Sequence, residues 1–261
     1  MISISICTYH TDSQELDRCL QSLTSPRVKR ITIIDNGQEQ RLKTFARERN
    51  LDYIPLPNPG FGAAHNADMM RTSEPYHLVL NADVFFQPEI LDELTDVMER
   101  NPEIVQIQPR VLLSDGTPQY SSRLLPSPLI LMGRRFFPAL IRKANRRYML
   151  MDRDLDKPMA VPYQTGCFML LRTADAQAIG GFDERFFMYP EDIDLSRRMH
   201  QRGIILYYPA VSITHAHAAA SYSSGRMLRI HICNMLKYFA KWAFSSGRRR
   251  INKTIRPYNP K

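Results

Sequence analysis

Two rhythms of apolar and polar residues alternate along the first hundred positions. Ile2, Ile4 and Ile6 are separated by serines, the period of a strand, and Leu16, Cys19, Leu20 and Leu23 then recur at helical spacing. Ile31 to Ile34 is a short buried strand that runs into the turn signal Asp35-Asn-Gly37. A helix is predicted from about Glu39 to Glu48, then a strand near Tyr53. Asn58-Pro-Gly-Phe-Gly62 breaks the chain before a helix toward Met70. His77 to Leu80 reads as another buried strand, ending at Asn81-Ala-Asp83. Pro88 suits a first helical position, with Ile90, Leu91, Leu94, Val97 and Met98 as the apolar face. Repeated βα units of this kind predict an α/β fold with a mostly parallel sheet and helices on both faces.

The pattern weakens from Leu112 to about Val161, a stretch rich in Pro and Arg. It resumes with a strand from Cys167 to Leu171 and a short helix from Thr173 that ends at Gly180-Gly181. The final segment, Arg226 to Phe244, reads as a basic amphipathic helix. Leu228, Ile232, Met235, Leu236, Phe239 and Ala243 share one face, with Arg226, Lys237 and Lys241 on the other. No internal repeat is present.

At 261 residues, 44% apolar and 23% charged, the chain has the composition of a folded protein with a sizeable core. Cys7, Cys19, Cys167 and Cys233 are scattered without metal-like spacing, as expected of reduced thiols in a cytosolic protein. The first residues lack the basic region of a signal peptide, and no run of 18 apolar residues predicts a membrane span. The net charge of +9 is local: the ten Lys and Arg from Arg226 onward meet no acid, and removing them leaves −1. Arg134, Arg135, Arg142, Lys143, Arg146 and Arg147 form a second cluster in a stretch without an acid between Asp115 and Asp152.

The chemistry concentrates in Gly180 to Leu195, where Glu191, Asp192 and Asp194 follow Phe186, Phe187, Met188 and Tyr189 at the head of a helix. Carboxylates crowded beside aromatic rings suit a general base, and an acidic helix start favoured by the dipole is the structural alternative. Arg197 and Arg198 follow closely enough to pair with these acids or with phosphate. Ligands of open α/β sheets sit beyond the carboxyl ends of the strands. Three polar signals fall there: Thr8-Tyr9, Asp35-Asn36 and Asn81-Ala-Asp83. Asp35 could accept hydrogen bonds from a base or ribose, and Asp83 could help hold a cation on a diphosphate. Each aspartate could equally be a cap or turn residue.

In combination these segments resemble the family 2 inverting glycosyltransferases of the GT-A fold, particularly the bacterial rhamnosyltransferase-like branch. The matching residues are Ser5 to Tyr9, Ile34 to Gly37, Asn58 to Gly62 with Asn66, Leu80 to Asp83, Thr165 to Leu170, Gly180 to Leu195, and His215, over about residues 1 to 225. The resemblance implies a Rossmann-like nucleotide-sugar-binding half (about 1–110), an acceptor-binding and catalytic half (111–225) and a basic helical tail (226–261). Thr8, Tyr9 and Asp35 would hold the nucleotide, and Asn58, Gly60, Phe61, Gly62 and Asn66 would line the donor pocket. Asn81 and Asp83 occupy the family's DxD-type motif, with Asp83 and His215 expected at a divalent cation, Mg²⁺ or Mn²⁺. Asn81 stands where Asp is more usual, which removes a charge and lowers the expected metal affinity. His217 is a weaker candidate, and either histidine could simply cap a loop.

Asp192 is the expected general base of a direct displacement, with Glu191 and Asp194 supporting it. The resemblance also implies a polyprenyl-diphosphate-linked glycan acceptor, dTDP-rhamnose as the first-choice donor, and a place at the inner face of the cell membrane. UDP-galactose or UDP-galactofuranose transfer is an alternative, as is a catalytically silent scaffold. The basic tail could meet an anionic membrane or pack on the catalytic domain with a solvated face. No nucleic-acid motif accompanies its charge, so no nucleic acid is expected as a partner.

Overall fold

The computed structural model describes residues 1–216, 225–245 and 247–261, the side chain of Arg226 aside. The predicted alternation is present in β1 (Ile2–Thr8), α1 (Ser13–Gln21), β2 (Val28–Asp35), α2 (Gln40–Glu48), β3 (Asp52–Pro55), α3 (Phe61–Met69) and β4 (Tyr76–Asn81). After β5 (Val84–Phe85) comes α4 (Glu89–Arg100), which starts one residue later than predicted because Pro88 is its cap. Its expected apolar residues are all buried.

The second half begins with β6 (Ile104–Leu113) and β7 (Ser122–Arg123), followed by α5 (Pro128–Phe136) and α6 (Arg142–Tyr148). Then come β8 (Met159–Ala160), β9 (Tyr163–Gln164), β10 (Phe168–Arg172), α7 (Thr173–Ala178), α8 (Glu191–Met199) and β11 (Ile204–His215). The chain ends with α9 (Gly225–Lys241), α10 (Gly247–Asn252) and β12 (Arg256–Pro257).

The main sheet runs β12-β8-β11-β6-β10-β4-β1-β2-β3, with β5 paired to the end of β11. Among the long strands, β3, β2, β1 and β4 are mutually parallel, β6 is parallel to β11, and β10 joins the two blocks antiparallel to each. The carboxyl ends of β1, β2, β4 and β11 therefore share one edge of the sheet.

Both faces of β1 are covered. Ile2, Ile4 and Ile6 enter the main apolar cluster, while Ser3 and Ser5 are just as deeply buried on the other side. There Ser3 Oγ lies 2.8 Å from His77 Nδ1, and Ser5 Oγ lies 2.8 Å from His77 Nε2 and 2.6 Å from His65 Nδ1. The serines solvate two histidines that have no access to water. Burial holds the His65 imidazole down at about 3 and lowers His77 well below its usual value.

The C-terminal segment is built into the body. Met235, Tyr238 and Ile251 are buried together with Leu125, Tyr163, Phe186 and Ile193. The helix α9 does not sort its residues as the sequence suggests. Met235 is buried and Phe239 packs on the same cluster, but Leu228, Ile232 and Leu236 are exposed. Lys241, predicted on the solvent side, reaches inward to Asp183 and Asp194, each at 2.7 Å.

Candidate functional site

At the carboxyl edge of the sheet lies a cavity of about 560 Å³. Thr8 and Tyr9 border it from the end of β1, Asn36 from β2, Asn58 and Phe61 from the start of α3, and Asn81 and Asp83 from the end of β4. Phe187 and Met188 of the aromatic–acidic run form another wall, and Met227 and Ile230 of α9 complete it. Both the run and the C-terminal helix thus close a pocket that begins at the strand ends.

Several residues expected at the ligand instead hold the walls together. Asp35 is fully buried, and its carboxyl accepts from the backbone N–H groups of Gly37 (2.8 Å) and Glu39 (2.6 Å) and from the Tyr53 hydroxyl (2.8 Å). It fixes the β2–α2 turn, and its neighbour Asn36 faces the cavity. Asn66 donates to the Phe182 carbonyl and the Glu184 carboxyl, both at 2.9 Å, and its own oxygen accepts from the Phe182 N–H. Gly60 has φ of +105°, and a Cβ there would lie 2.3 Å from the Phe187 carbonyl oxygen. Phe61 N–H donates to that same oxygen at 3.0 Å. At Gly62 a Cβ would press on Phe182 at 2.8 Å. The Asn58-to-Asn66 segment is therefore a joint that seats the aromatic–acidic run against α3, and only Asn58 and Phe61 of it reach the cavity.

Asp83 and His215 meet across two elements. The short strand β5 pairs Val84 with His215, which sets the His215 Nε2 atom 3.2 Å from Asp83 Oδ1. His215 Nδ1 donates to Gln119 Oε1 at 2.8 Å, so Nε2 is the nitrogen aimed at the aspartate. The Asn81 amide is 3.4 Å from the same nitrogen. Burial would lower this imidazole, but the hydrogen bond to Asp83, joined by Cys167, lifts it to about 10.

The three acids at the start of α8 have separate surroundings. Asp192 is half-buried and accepts from the N–H groups of Ile193 (2.7 Å) and Gly166 (3.2 Å). Burial pushes its carboxyl up to about 6, against the lowering effect of those N–H groups and of nearby Arg123. Asp192 does not border the cavity itself. It adjoins the cavity wall through Gly166, whose Cβ, if present, would sit 3.0 Å from Phe61 and 3.8 Å from the Asp192 Cβ. Glu191 is buried beside it, with Oε2 unpartnered among the described residues, and burial followed by the Asp192 charge pushes it well above the carboxylate range. Asp194 faces the opposite way. It is fully buried and bonds Arg198 Nε (2.7 Å), Lys241 Nζ (2.7 Å) and Trp242 Nε1 (2.9 Å), tying α9 to α8. Arg197 lies over the Trp242 ring, 4.0 Å from its centroid.

The sequence model of Glycosyl transferase family 2 matches residues 3–180. The chain belongs to this family. It is 28% identical over 249 residues to N-acetylglucosaminyl-diphospho-decaprenol L-rhamnosyltransferase of Mycobacterium tuberculosis, covering 87% of this chain and 79% of that one. It is also 28% identical over 243 residues to rhamnosyltransferase WbbL of Escherichia coli K12, covering 87% and 89%. Among solved structures it resembles S. aureus TarS 1–349 in complex with UDP-GlcNAc, with a TM-score of 0.59, 14% identity, and 91% of this chain and 66% of that one covered. It also resembles GalNAc-T7 with UDP, GalNAc and Mn²⁺, with a TM-score of 0.61 and 14% identity, covering 82% of this chain and 43% of that one. The chain is a glycosyltransferase with the GT-A fold, of the rhamnosyltransferase-like branch of family 2.

Within this glycosyltransferase no group of three or more His, Cys, Asp and Glu side chains is arranged to hold a metal ion among the described residues. The Asp83–His215 pair could hold a divalent cation once Nε2 gives up the proton it shares with Asp83. Its two donor atoms are 3.2 Å apart, close to the roughly 3 Å between adjacent ligands of an octahedral ion bonded at about 2.1 Å. Two protein ligands suffice where a diphosphate and water supply the others. His217 lies outside the described residues. Gln119 and Arg123, which orient His215 and influence Asp192, carry no sequence signal, because both sit in the Pro- and Arg-rich stretch where periodicity fails.

Proposed function

We propose that this glycosyltransferase moves a sugar, L-rhamnose from dTDP-rhamnose in the first instance, onto a hydroxyl of a lipid-linked glycan with inversion at the anomeric carbon. The acceptor follows from the name of the mycobacterial relative, which points to N-acetylglucosamine on a polyprenyl diphosphate. The reading places the enzyme on the cytoplasmic side of the membrane, with residues 1–110 holding the donor and 111–225 supplying the acceptor site and the base. Asp192 carries the proposal: it is a half-buried carboxyl lifted to about 6, beside the wall of a cavity sized for a nucleotide-sugar.

Thr8, Tyr9, Asn36, Asn58 and Asn81 would bind the nucleoside diphosphate within that cavity. Asp83 and His215 would hold Mg²⁺ or Mn²⁺, which when bound supplies positive charge against the departing diphosphate. Asp192 accepts the acceptor hydroxyl's proton while the hydroxyl oxygen bonds to the anomeric carbon. The bond from that carbon to the diphosphate oxygen breaks, and its electron pair leaves with the nucleoside diphosphate. A base near 6 is about nine-tenths ionised at pH 7 and still strong enough to assist. Glu191 and Asp194 act as positioning residues, the former behind Asp192 and the latter through α9.

The test couples binding to turnover. A nucleotide-sugar at 100 times its dissociation constant stabilises the fold by about 2.7 kcal/mol. A thermal-shift panel with Mg²⁺ or Mn²⁺ should single out dTDP-rhamnose, with UDP-galactose and UDP-galactofuranose as the competing donors. Asp192→Asn should lower transfer by about 10²–10⁴-fold and leave that shift intact. Near-wild-type transfer by the variant would remove Asp192 as the base, and a panel without any stabilising nucleotide-sugar would remove the donor reading.

A further inference from the structure

The helix α5 is inside out for a helix on a water-facing surface. Leu129, Met132 and Phe136, spaced to share one face, are 80%, 57% and 62% exposed, and Phe137 and Leu140 on the link to α6 are 60% and 84% exposed. Leu131, on the opposite side, joins the cluster around Met235 and Tyr238, and Gly133, beside the exposed stripe, is buried against Ile141. This segment therefore shows solvent five of the chain's large exposed apolar side chains, far more than a surface helix scatters by chance.

Cations surround that face. Arg142, Lys143, Arg146 and Arg147 lie on exposed positions of α6, and Arg134 and Arg135 end α5. None of the six has an acidic partner among the described residues, and the sequence has no acid from Gly116 to Met151. The adjoining helix α9 extends the surface with Leu228, Ile232 and Leu236, which are 38%, 46% and 64% exposed. Its His231 is lowered by burial and then by the charges of Arg134 and Arg135, in keeping with the two helices being neighbours. Among the described residues no helix is long and apolar enough to cross a membrane.

We infer that the α5–α6 hairpin, with the outer stripe of α9, is an interfacial docking surface for an anionic lipid bilayer. Apolar side chains would enter the headgroup boundary while the ring of Arg and Lys meets lipid phosphates. The charge selects this occupant: a second copy of the same face would bring two sets of uncompensated cations together. The sequence draws attention to the basic tail, but Lys241 is spent on Asp183 and Asp194, and Met235 and Tyr238 are buried. Docking does not depend on the transfer reaction. If the proposed lipid-linked acceptor is correct, it would arrive beside α9, whose Met227 and Ile230 line the cavity.

Sedimentation of the full chain with phosphatidylglycerol–phosphatidylcholine vesicles tests this, with pure phosphatidylcholine vesicles alongside. The wild type should bind the anionic vesicles at least tenfold more tightly, with affinity falling as salt rises. Phe136→Ser/Phe137→Ser and, separately, Arg142→Glu/Arg146→Glu should each weaken binding at least tenfold while the melting temperature and nucleotide-induced thermal shift stay unchanged. Arg248→Glu/Arg249→Glu in the tail should bind as the wild type does. Equal binding by both hairpin variants would overturn the proposal, as would loss of binding only on changing the tail. So would light scattering that shows a wild-type dimer broken by the Phe136/Phe137 change with vesicle binding untouched.

Discussion

Asp35, at the end of β2, and Asp83, just past the end of β4, lie on either side of β1 at the same edge of the sheet, yet they serve different ends. Asp35 turns back into its own loop, where two backbone N–H groups and the Tyr53 hydroxyl take up its oxygens. Asp83 faces the cavity and meets His215, delivered by a strand from the far end of the sequence. The imidazoles divide along the same line. His215, buried behind Asp83, is lifted to about 10 by its partners, while His65 beneath β1 is held near 3 by burial. A strand-end carboxylate can thus hold its own turn, as Asp35 does, or pair with a residue from a distant strand, as Asp83 does with His215.

The sharpest break in this comparison is between loss of activity and loss of stability. Asp83→Asn should reduce sugar transfer by about 10²–10³-fold, the scale of removing one electrostatic stabiliser of a leaving group. That loss should persist well below the melting temperature, which also falls because His215 loses the partner that lifts it. Asp194→Ala should act on stability first. It leaves Arg198 Nε and the Trp242 N–H without their acceptor and takes one of Lys241's two carboxylates, costing about 3–5 kcal/mol as a broken buried pair does. The melting temperature should fall by roughly 10 °C, with turnover at low temperature within tenfold of wild type. An Asp194 variant that melts normally but is inactive would move that residue into the catalytic group.

Asp35→Asn sits next in size. It keeps the shape but weakens three hydrogen bonds to a buried carboxyl, for a cost of about 2–3 kcal/mol. If nucleotide affinity falls while the melting temperature holds, Asp35 belongs with the ligand and the contrast with Asp83 fails. The smallest effect comes from His65. Its folded value lies near 3, below the unfolded value of about 6.5, so its contribution is full above pH 6.5 and is lost as pH falls from there toward 3. The slope is about 1.4 kcal/mol per pH unit, to which the lowered His77 adds in the same direction. Urea midpoints at pH 7.5, 6 and 5 should decline for the wild type and decline less for His65→Leu.

The N-terminal half was legible because β1, β2 and β4 are short apolar runs that end in turn residues, and α4 carries a regular apolar face. The strand β6 escaped notice for a physical reason. Gln106 and Gln108 interrupt its apolar run, yet both are buried and bonded, Gln106 to Gln164 and Gln108 to the carbonyls of Thr165 and Phe168. The strand β11 contains Pro209 and a register shift between Tyr208 and Ser212, which break its alternation just before it delivers His215. At the site, Thr8, Tyr9, Asn58, Phe61, Asn81 and Asp83 line the cavity, but sequence could not divide residues that touch it from those that brace it. Asn66 and Gly60 are bonded to or pressed on residues more than a hundred positions away. Helical spacing in α5 and α9 likewise shows an apolar face without saying whether protein covers it.

Asp192 is the hinge of the functional reading, and the pH dependence of kcat/KM probes it most directly. With a saturating divalent cation, log kcat/KM should rise with unit slope up to a midpoint near pH 6 and then level off, in keeping with a carboxyl lifted by burial beside Glu191. Asp192→Asn should lack that limb altogether. A limb near pH 4, or one near 6 that persists unchanged in Asp192→Asn, would contradict the assignment of Asp192 as the base.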